Sequence, residues 1–189
     1  MLELQRWFFK LQNPHWEIKW PHWDIFDPDT QLRVGVVRVN KGALKGFFSF
    51  GWWNPVIEAR SVQDNSLVFS LYWKVRLWRP PLQVWSSSGE LVGYFKRKWF
   101  SINGGYWVYD DQHRPLGEVR VDWTQYEFRL ISLEGEELGR VSRKLVGLHR
   151  ALMYNERDFL VTATDGKADH PRTKTLLLAT ALAAAHLRR

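Results

Sequence analysis

The chain has 189 residues and a formal net charge of +7, with 12 Trp, 11 Phe, 6 Tyr and no cysteine. The absence of cysteine excludes disulfides, thiolate metal sites and a cysteine nucleophile. The length fits one domain over residues 1–189, and the positive charge favours a polyanionic partner, either nucleic acid or anionic lipid headgroups.

The N-terminal segment MLELQRWFFKLQ carries charges at Glu3, Arg6 and Lys10, inside the only stretch that resembles a signal peptide. We therefore expect no signal peptide and a cytoplasmic protein. Pro-His-Trp occurs at His15 and again at His22. The two histidines are seven residues apart. Within one strand this odd separation directs their side chains to opposite faces, so we expect no metal site from this pair.

One pattern recurs from residue 25 to residue 145: an apolar or aromatic pair, a polar turn, an apolar residue, a glycine and an alternating strand. The copies are IFDPDTQLRVGVVRV, VWSSSGELVGYFKRKW, VYDDQHRPLGEVRVDW and LISLEGEELGRVSRKL, with Gly35, Gly93, Gly117 and Gly139 in the same role. A further copy, SVQDNSLVFSLYW, repeats the turn without the glycine. Short strands at this spacing predict an all-β sheet of consecutive hairpins, with about ten to twelve strands.

The segment KGALKGFFSFGWW is the least typical of a strand. Glycines interrupt its aromatic run, and this composition suits a loop that dips into a lipid headgroup layer. The candidate residues for this membrane-dipping loop are Lys41, Phe47, Phe48, Trp52 and Trp53. The alternative is a loop or bent strand whose aromatic side chains cap a barrel formed by the predicted strands.

Alternation after each glycine assigns the two faces of the repeated strands. The inward series contains Phe95, Val119 and Val141, and it continues to Arg97 and Arg143. The outward face carries the candidate headgroup-binding residues Lys96, Lys98, Arg120, Arg140 and Lys144. An ordinary solvated surface is the alternative, and the mixed basic and aromatic stretch YFKRKWF would also suit single-stranded nucleic acid.

The final segment, TLLLATALAAAHLRR, has no charged residue between Leu176 and Leu187, so its helix would be apolar on every side. Such a helix rises roughly 18 Å at about 1.5 Å per residue, whereas the hydrocarbon core of a membrane is about 30 Å thick. We therefore expect no transmembrane span. A barrel of eleven or twelve strands has a lumen wide enough for a helix. The sequence predicts a closed, antiparallel, roughly twelve-stranded barrel over residues 7–164, around a buried hydrophobic helix at residues 171–187.

These hairpins, the strand RDFLVTAT and the closing helix TKTLLLATALAAAHL resemble the tubby C-terminal-like superfamily, nearest to its plant LURP-one-related and phospholipid scramblase members. The resemblance extends from about Trp23 to the end of the chain. It implies a twelve-stranded barrel around a central C-terminal helix and a phosphoinositide-like headgroup as ligand. Scramblases have an acidic calcium segment, but the corresponding TDGKADHPRT offers only Asp165 and Asp169, so we expect neither calcium binding nor scrambling.

Motifs of catalysis are missing from the sequence. It contains no G-x-S-x-G elbow, phosphate loop, H-E-x-x-H or dinucleotide fingerprint. Asp27 and Asp29 in DPDT predict a turn rather than a catalytic carboxylate pair. We expect no enzyme, no cofactor and no metal, and we predict peripheral binding to an anionic phospholipid surface. A nucleic-acid-binding module and a ligand-free protein-interaction scaffold are the alternatives, and the sequence leaves the oligomeric state open.

Overall fold

The computed structural model describes residues 1–12, 22–40, 56–73, 81–98, 104–122, 127–143 and 158–186. Within these residues the elements are β1 (Arg6–Gln12), β2 (His22–Phe26), β3 (Arg33–Asn40), β4 (Val56–Ser61), β5 (Leu67–Trp73), β6 (Leu82–Ser86), β7 (Leu91–Arg97), β8 (Tyr106–Tyr109), β9 (Pro115–Val121), β10 (Glu127–Ser132), β11 (Glu137–Ser142), β12 (Phe159–Ala163) and α1 (Pro171–His186). Each strand pairs antiparallel with its neighbours in the chain, and β1 pairs with β12. The predicted closed twelve-stranded barrel is confirmed.

Helix α1 fills the barrel. Every residue from 174 to 184 is buried, so all sides of the helix face protein. Leu177, Leu178 and Leu182 are at most 1% exposed and share one core with the inward side chains of the strands, such as Phe95 and Val141. Burying a leucine contributes roughly 2 kcal/mol, so the apolar helix and the apolar lumen stabilise each other.

The repeated glycines lie where the next strand comes closest. A Cβ on Gly93 would lie 2.5 Å from the carbonyl oxygen of Tyr109, and one on Gly139 would lie 2.8 Å from that of Thr162. A Cβ on Gly117 would be closer still to the carbonyl oxygen of Ile131. These approaches leave no room for a side chain, which is the physical reason for the glycine in these three copies.

The repeat also has a common irregularity in strand pairing. A β-bulge follows the residue that faces each of the four glycines, and the copy without the glycine has its bulge between Ala59 and Arg60. Each bulge places one extra residue on the second strand of the hairpin. Because bulges bend strands and increase their twist, five of them at equivalent places help the sheet to curve into a closed barrel.

The antiparallel order gives the barrel two different ends. At the turn end, short segments lead from each even-numbered strand to the next element; these are residues 27–32, 62–66, 87–90, 110–114, 133–136 and 164–170. At the loop end, the odd-numbered strands finish and the even-numbered strands begin. Helix α1 starts at the turn end and runs towards the loop end.

Two arginines hold the ends of α1. At the turn end, the Arg172 guanidinium donates to the carbonyl oxygen of Val92 at 2.7 and 2.9 Å and to Asp111 at 2.8 Å. At the loop end, Arg143 donates to the carbonyl oxygen of Ala184 at 2.6 Å. A cation at a helix C-terminus is favoured by the helix dipole. The two contacts fix how deeply the helix sits in the barrel.

The predicted inward series is confirmed for Phe95, Val119, Val141 and Arg143, all of which are buried. Arg97 is exposed instead. It is the last residue of β7, and its guanidinium stays in water at the end of the barrel because burying an unpaired charge is costly. Alternation therefore assigned the correct face along the strand but not at its end.

His170 offers a test of the helix N-terminus. Its Nδ1 accepts a hydrogen bond from the backbone N–H of Arg172 at 3.1 Å, in the manner of an N-cap, and the first turn has no acidic residue. We expect His170→Asp to raise the free energy of unfolding by about 0.5 to 1 kcal/mol, because Asp caps well and its charge suits the helix dipole. Thermal unfolding should show a higher Tm. His170→Ala, the control, should lower it.

Candidate functional site

The outward placement of the predicted basic face is correct for the residues that the structure describes. Lys96 and Arg120 are exposed, whereas Lys98 and Arg140 are half-buried on the outer surface of the sheet. Lys144 lies outside the described residues. So do the candidates for the membrane-dipping loop, Lys41, Phe47, Phe48, Trp52 and Trp53.

Glu118 neutralises much of the charge between β7 and β9. Its carboxylate binds both Lys98 and Arg120, and the Lys98 ammonium also lies 4.1 Å from the centre of the Trp107 ring. Burial raises the pKa of the Glu118 carboxyl, but hydrogen bonds from Lys98 and Arg120 outweigh this and hold the pKa below its ordinary value. Glu118 therefore stays ionised, and a phosphate must compete with it for these two cations.

Two more glutamates hold a row of arginines on β9, β10 and β11. Arg129 faces Arg120 on one side and Arg140 on the other in the strand register. Glu127 lies 2.6 Å from Arg129 and 3.0 Å from Arg140, and Glu137 lies 3.0 Å from Arg140. Like charges directly opposite each other destabilise a sheet, so these acids offset the repulsion within the row. Arg129 was missed by the sequence analysis, although the alternation in EFRLIS places it outward beside Glu127.

Four cations on the described strands form no ion pair within 4.0 Å with a described carboxylate: Lys10, Arg38, Lys96 and Arg97. Lys10 nevertheless faces Asp24, and Arg38 faces Glu58, in the strand register. Each is one of the last three residues of an odd-numbered strand, so all four lie near the loop end. Lys10 is half-buried, and the other three are exposed. We call these four residues the rim cations.

The rim cations lie on opposite sides of the barrel. In the closed order of strands, β7, which carries Lys96 and Arg97, is six strands from β1, which carries Lys10. Arg38 on β3 is two strands from β1. Together the four charges surround the loop end rather than converging on one point of the side wall.

The turn end is rich in carboxylates. Its six segments contain two basic residues, Arg114 and Lys167, and ten acidic residues: Asp27, Asp29, Asp64, Glu90, Asp110, Asp111, Glu134, Glu136, Asp165 and Asp169. Hydrogen bonds within the turns, chiefly from the side chains of Thr30, Ser66 and Ser132, lower the pKa of Asp27, Asp64 and Glu134. These carboxylates stay charged at neutral pH, so the six turn segments together carry a net negative charge.

Trp107 lies beside one of the rim cations, Lys96. It is the second residue of β8, near the loop end, and it is 42% exposed. It faces Lys96 directly in the register of β7 and β8. An exposed indole that faces the exposed Lys96, with the Lys98 ammonium 4.1 Å from the centre of its ring, is the most distinctive surface feature of the described strands.

The described part of the chain has no group of three or more His, Cys, Asp or Glu side chains placed to hold a metal. Asp169 accepts a hydrogen bond from Gln5 at 2.9 Å, while Asp165 is exposed. No helix among the described residues is long and apolar enough to cross a membrane.

These observations define the class of the molecule: a closed antiparallel barrel that contains its own helix and has a cluster of carboxylates in the turns at one end. Comparison of the chain with protein-family models, with curated proteins and with solved structures finds no match. The resemblance to the tubby C-terminal-like superfamily therefore stays a prediction.

Proposed function

We propose that this protein is a non-enzymatic, peripheral binder of anionic phospholipid headgroups on the cytoplasmic side of a membrane. The observation that carries the proposal is the exposed Trp107 facing the exposed Lys96, with the exposed Arg97 next along the same strand. Near an anionic lipid surface each basic residue contributes about 1 kcal/mol, and an indole ring is well suited to the headgroup layer.

Nucleic acid is the second candidate, since phosphates would attract the same cations and bases stack on exposed aromatic rings. The position of Lys98 favours lipid. Its ammonium lies over the Trp107 ring, 4.1 Å from the ring centre, and so covers one face on which a base would stack. The exposed remainder of the indole can still enter a headgroup layer.

Flotation with phosphatidylcholine vesicles, with and without phosphatidylserine, tests the proposal, beside a gel shift with single-stranded RNA. We expect the protein to float only with the vesicles that contain phosphatidylserine. Added salt should release it, because exposed charges are screened over about 8 Å at physiological ionic strength. A gel shift without flotation would instead support the nucleic-acid alternative.

The variant Lys96→Glu with Arg97→Glu should weaken binding to these vesicles by about a hundredfold, because two attractive charges become repulsive. Both side chains are exposed and have no ion pair with a described residue, so thermal stability should stay close to that of the parent. The measurement is a flotation titration against lipid concentration.

The matched control is Arg6→Glu with Lys167→Glu, which makes the same change in net charge at the turn end. Both residues form exposed ion pairs, with Asp29 and Glu136 respectively, which contribute little to stability. We expect this control to bind vesicles almost as well as the parent. Equal losses in both variants would mean that binding follows net charge alone and would refute a site beside Trp107.

A further inference from the structure

We infer that the barrel docks on the anionic lipid surface side-on, through the outer wall of β5 to β8, so that the aromatic side chains of this wall enter the headgroup layer. The inference rests on the proposed function and specifies which surface performs it. We call this surface the aromatic wall, and its outward side chains include Tyr72, Gln83, Trp85, Tyr94, Lys96, Trp107 and Tyr109. Each of them is at least partly exposed.

The first support is the chemistry of the aromatic wall. Five of these seven side chains are aromatic, and strands β5 to β8 contain no Asp or Glu. The neighbouring outer face of β9 to β11, in contrast, pairs its arginines with glutamates. Trp and Tyr are enriched where a membrane meets water, because their rings are apolar while the N–H or O–H stays hydrated. With Lys96 exposed and no carboxylate of its own, the wall complements an anionic surface.

The second support is the continuity of the strip. In the strand register Tyr94 faces Gln83 on one side and Tyr109 on the other. Gln83 in turn faces Tyr72. The rings of Tyr94 and Tyr109 stack with their centres 5.0 Å apart, and the Tyr94 hydroxyl lies 3.0 Å from Nδ1 of His113. These contacts hold the two rings in place before docking, so little side-chain freedom is lost when the wall meets lipid.

The turns beside the wall add little negative charge. In the turn between β8 and β9, Asp110 lies 2.7 Å from the Arg114 guanidinium. Asp111 of the same turn lies 2.8 Å from the Arg172 guanidinium. Glu90, in the turn between β6 and β7, is the one carboxylate of these two turns without an ion pair to a described residue. The repulsion between these turns and an anionic membrane is therefore small.

The decisive variant is Tyr94→Ser with Tyr109→Ser. In side-on docking it should weaken binding to phosphatidylserine vesicles by about tenfold, because two rings no longer enter the headgroup layer. The loss should be the same factor at low and at high salt, since salt does not screen the burial of a ring. The loss in Lys96→Glu with Arg97→Glu should instead shrink as salt is added.

Phe26→Ser is the matched control. Phe26 is a half-buried residue on β2, which is six strands from β8 in the closed order of the barrel. The variant therefore removes a ring on the far side from the aromatic wall. We expect it to bind the vesicles as well as the parent does, at temperatures well below the Tm of each variant.

A pair of fluorescent labels gives a readout of orientation that leaves the tyrosines intact. The chain has no cysteine, so a single introduced cysteine is a unique attachment site. Gln83→Cys and Leu160→Cys are each the second residue of an even-numbered strand, on β6 and β12, and these strands are six apart in the closed order. We expect a quencher carried by the lipid to quench the dye at position 83 and to spare the dye at position 160.

The outcomes separate the two proposals. If the protein floats with phosphatidylserine vesicles and the double serine variant floats equally well, docking is not through the aromatic wall, although lipid binding stands. Equal quenching at positions 83 and 160 would also overturn side-on docking. If the parent protein does not bind these vesicles at all, the proposed function itself is wrong. A dimer in gel filtration that the double serine variant loses would then assign the wall to a second copy of the chain.

Discussion

Leu178→Asp should abolish cooperative folding of the domain. Leu178 is fully buried in the helix that fills the barrel. The substitution removes a core side chain, at a cost of about 2 to 5 kcal/mol, and leaves an unpaired carboxylate in an apolar lumen, which adds several kcal/mol. Typical domains have only about 5 to 15 kcal/mol of stability. Urea titration followed by circular dichroism should show no folded baseline.

Leu178→Met is the matched control, because it keeps the apolar character and nearly the volume of the side chain. We expect it to cost less than about 1.5 kcal/mol. Removal of residues 175–189 provides a second check, since the lumen would lose its filling and the inward aromatic residues would contact water. A shortened chain that still unfolds cooperatively would show that the helix is not needed for the barrel.

Gly117→Ala should be the most damaging of the glycine substitutions in the repeat. Its φ is +153°, a conformation that side chains rarely adopt, and an added Cβ would overlap the carbonyl oxygen of Ile131 on β10. Backbone atoms of a paired strand cannot move aside without breaking the ladder. We expect a loss of at least about 3 kcal/mol in the free energy of unfolding, measured by urea denaturation.

Gly135→Ala is the control that measures the cost of backbone strain alone, without the overlap that a Cβ at position 117 would make with β10. Gly135 has a φ of +86°, but no atom lies within 4 Å of the Cβ that alanine would add. Only the left-handed conformation is then penalised, by about 1 to 2 kcal/mol. If both alanine variants lose the same amount, the close approach of β10 is not the reason for the glycine at position 117.

The sequence was sufficient to predict the barrel because two local features were complementary. The repeated turns and glycines indicated the hairpins, and the uncharged stretch from Leu176 to Leu187 required a surrounding core. Neither signal depends on distant contacts. The outward direction of Lys96, Lys98, Arg120 and Arg140 follows from the same alternation, and the structure agrees with it.

Pairing between charges could not be predicted in the same way. Alternation from Gly117 places Glu118 on the outward face, but its contact with Lys98 depends on the register of β7, β8 and β9 across three strands. The bulges shift that register by one residue in every hairpin, which no count along a single strand reveals. The grouping of the rim cations could not be predicted either, since it depends on which strand termini lie at the same end of the barrel.

The position of α1 in the chain has a consequence for folding during synthesis. All twelve strands leave the ribosome before the segment that occupies their common interior, and β1 must wait for β12 before the sheet can close. Most of the stabilising contacts are therefore distant in sequence, which slows folding. Until α1 has been synthesised, Trp7, Phe9 and Phe95 have no finished core to enter, so we expect the nascent chain to depend on chaperones that bind exposed aromatic segments.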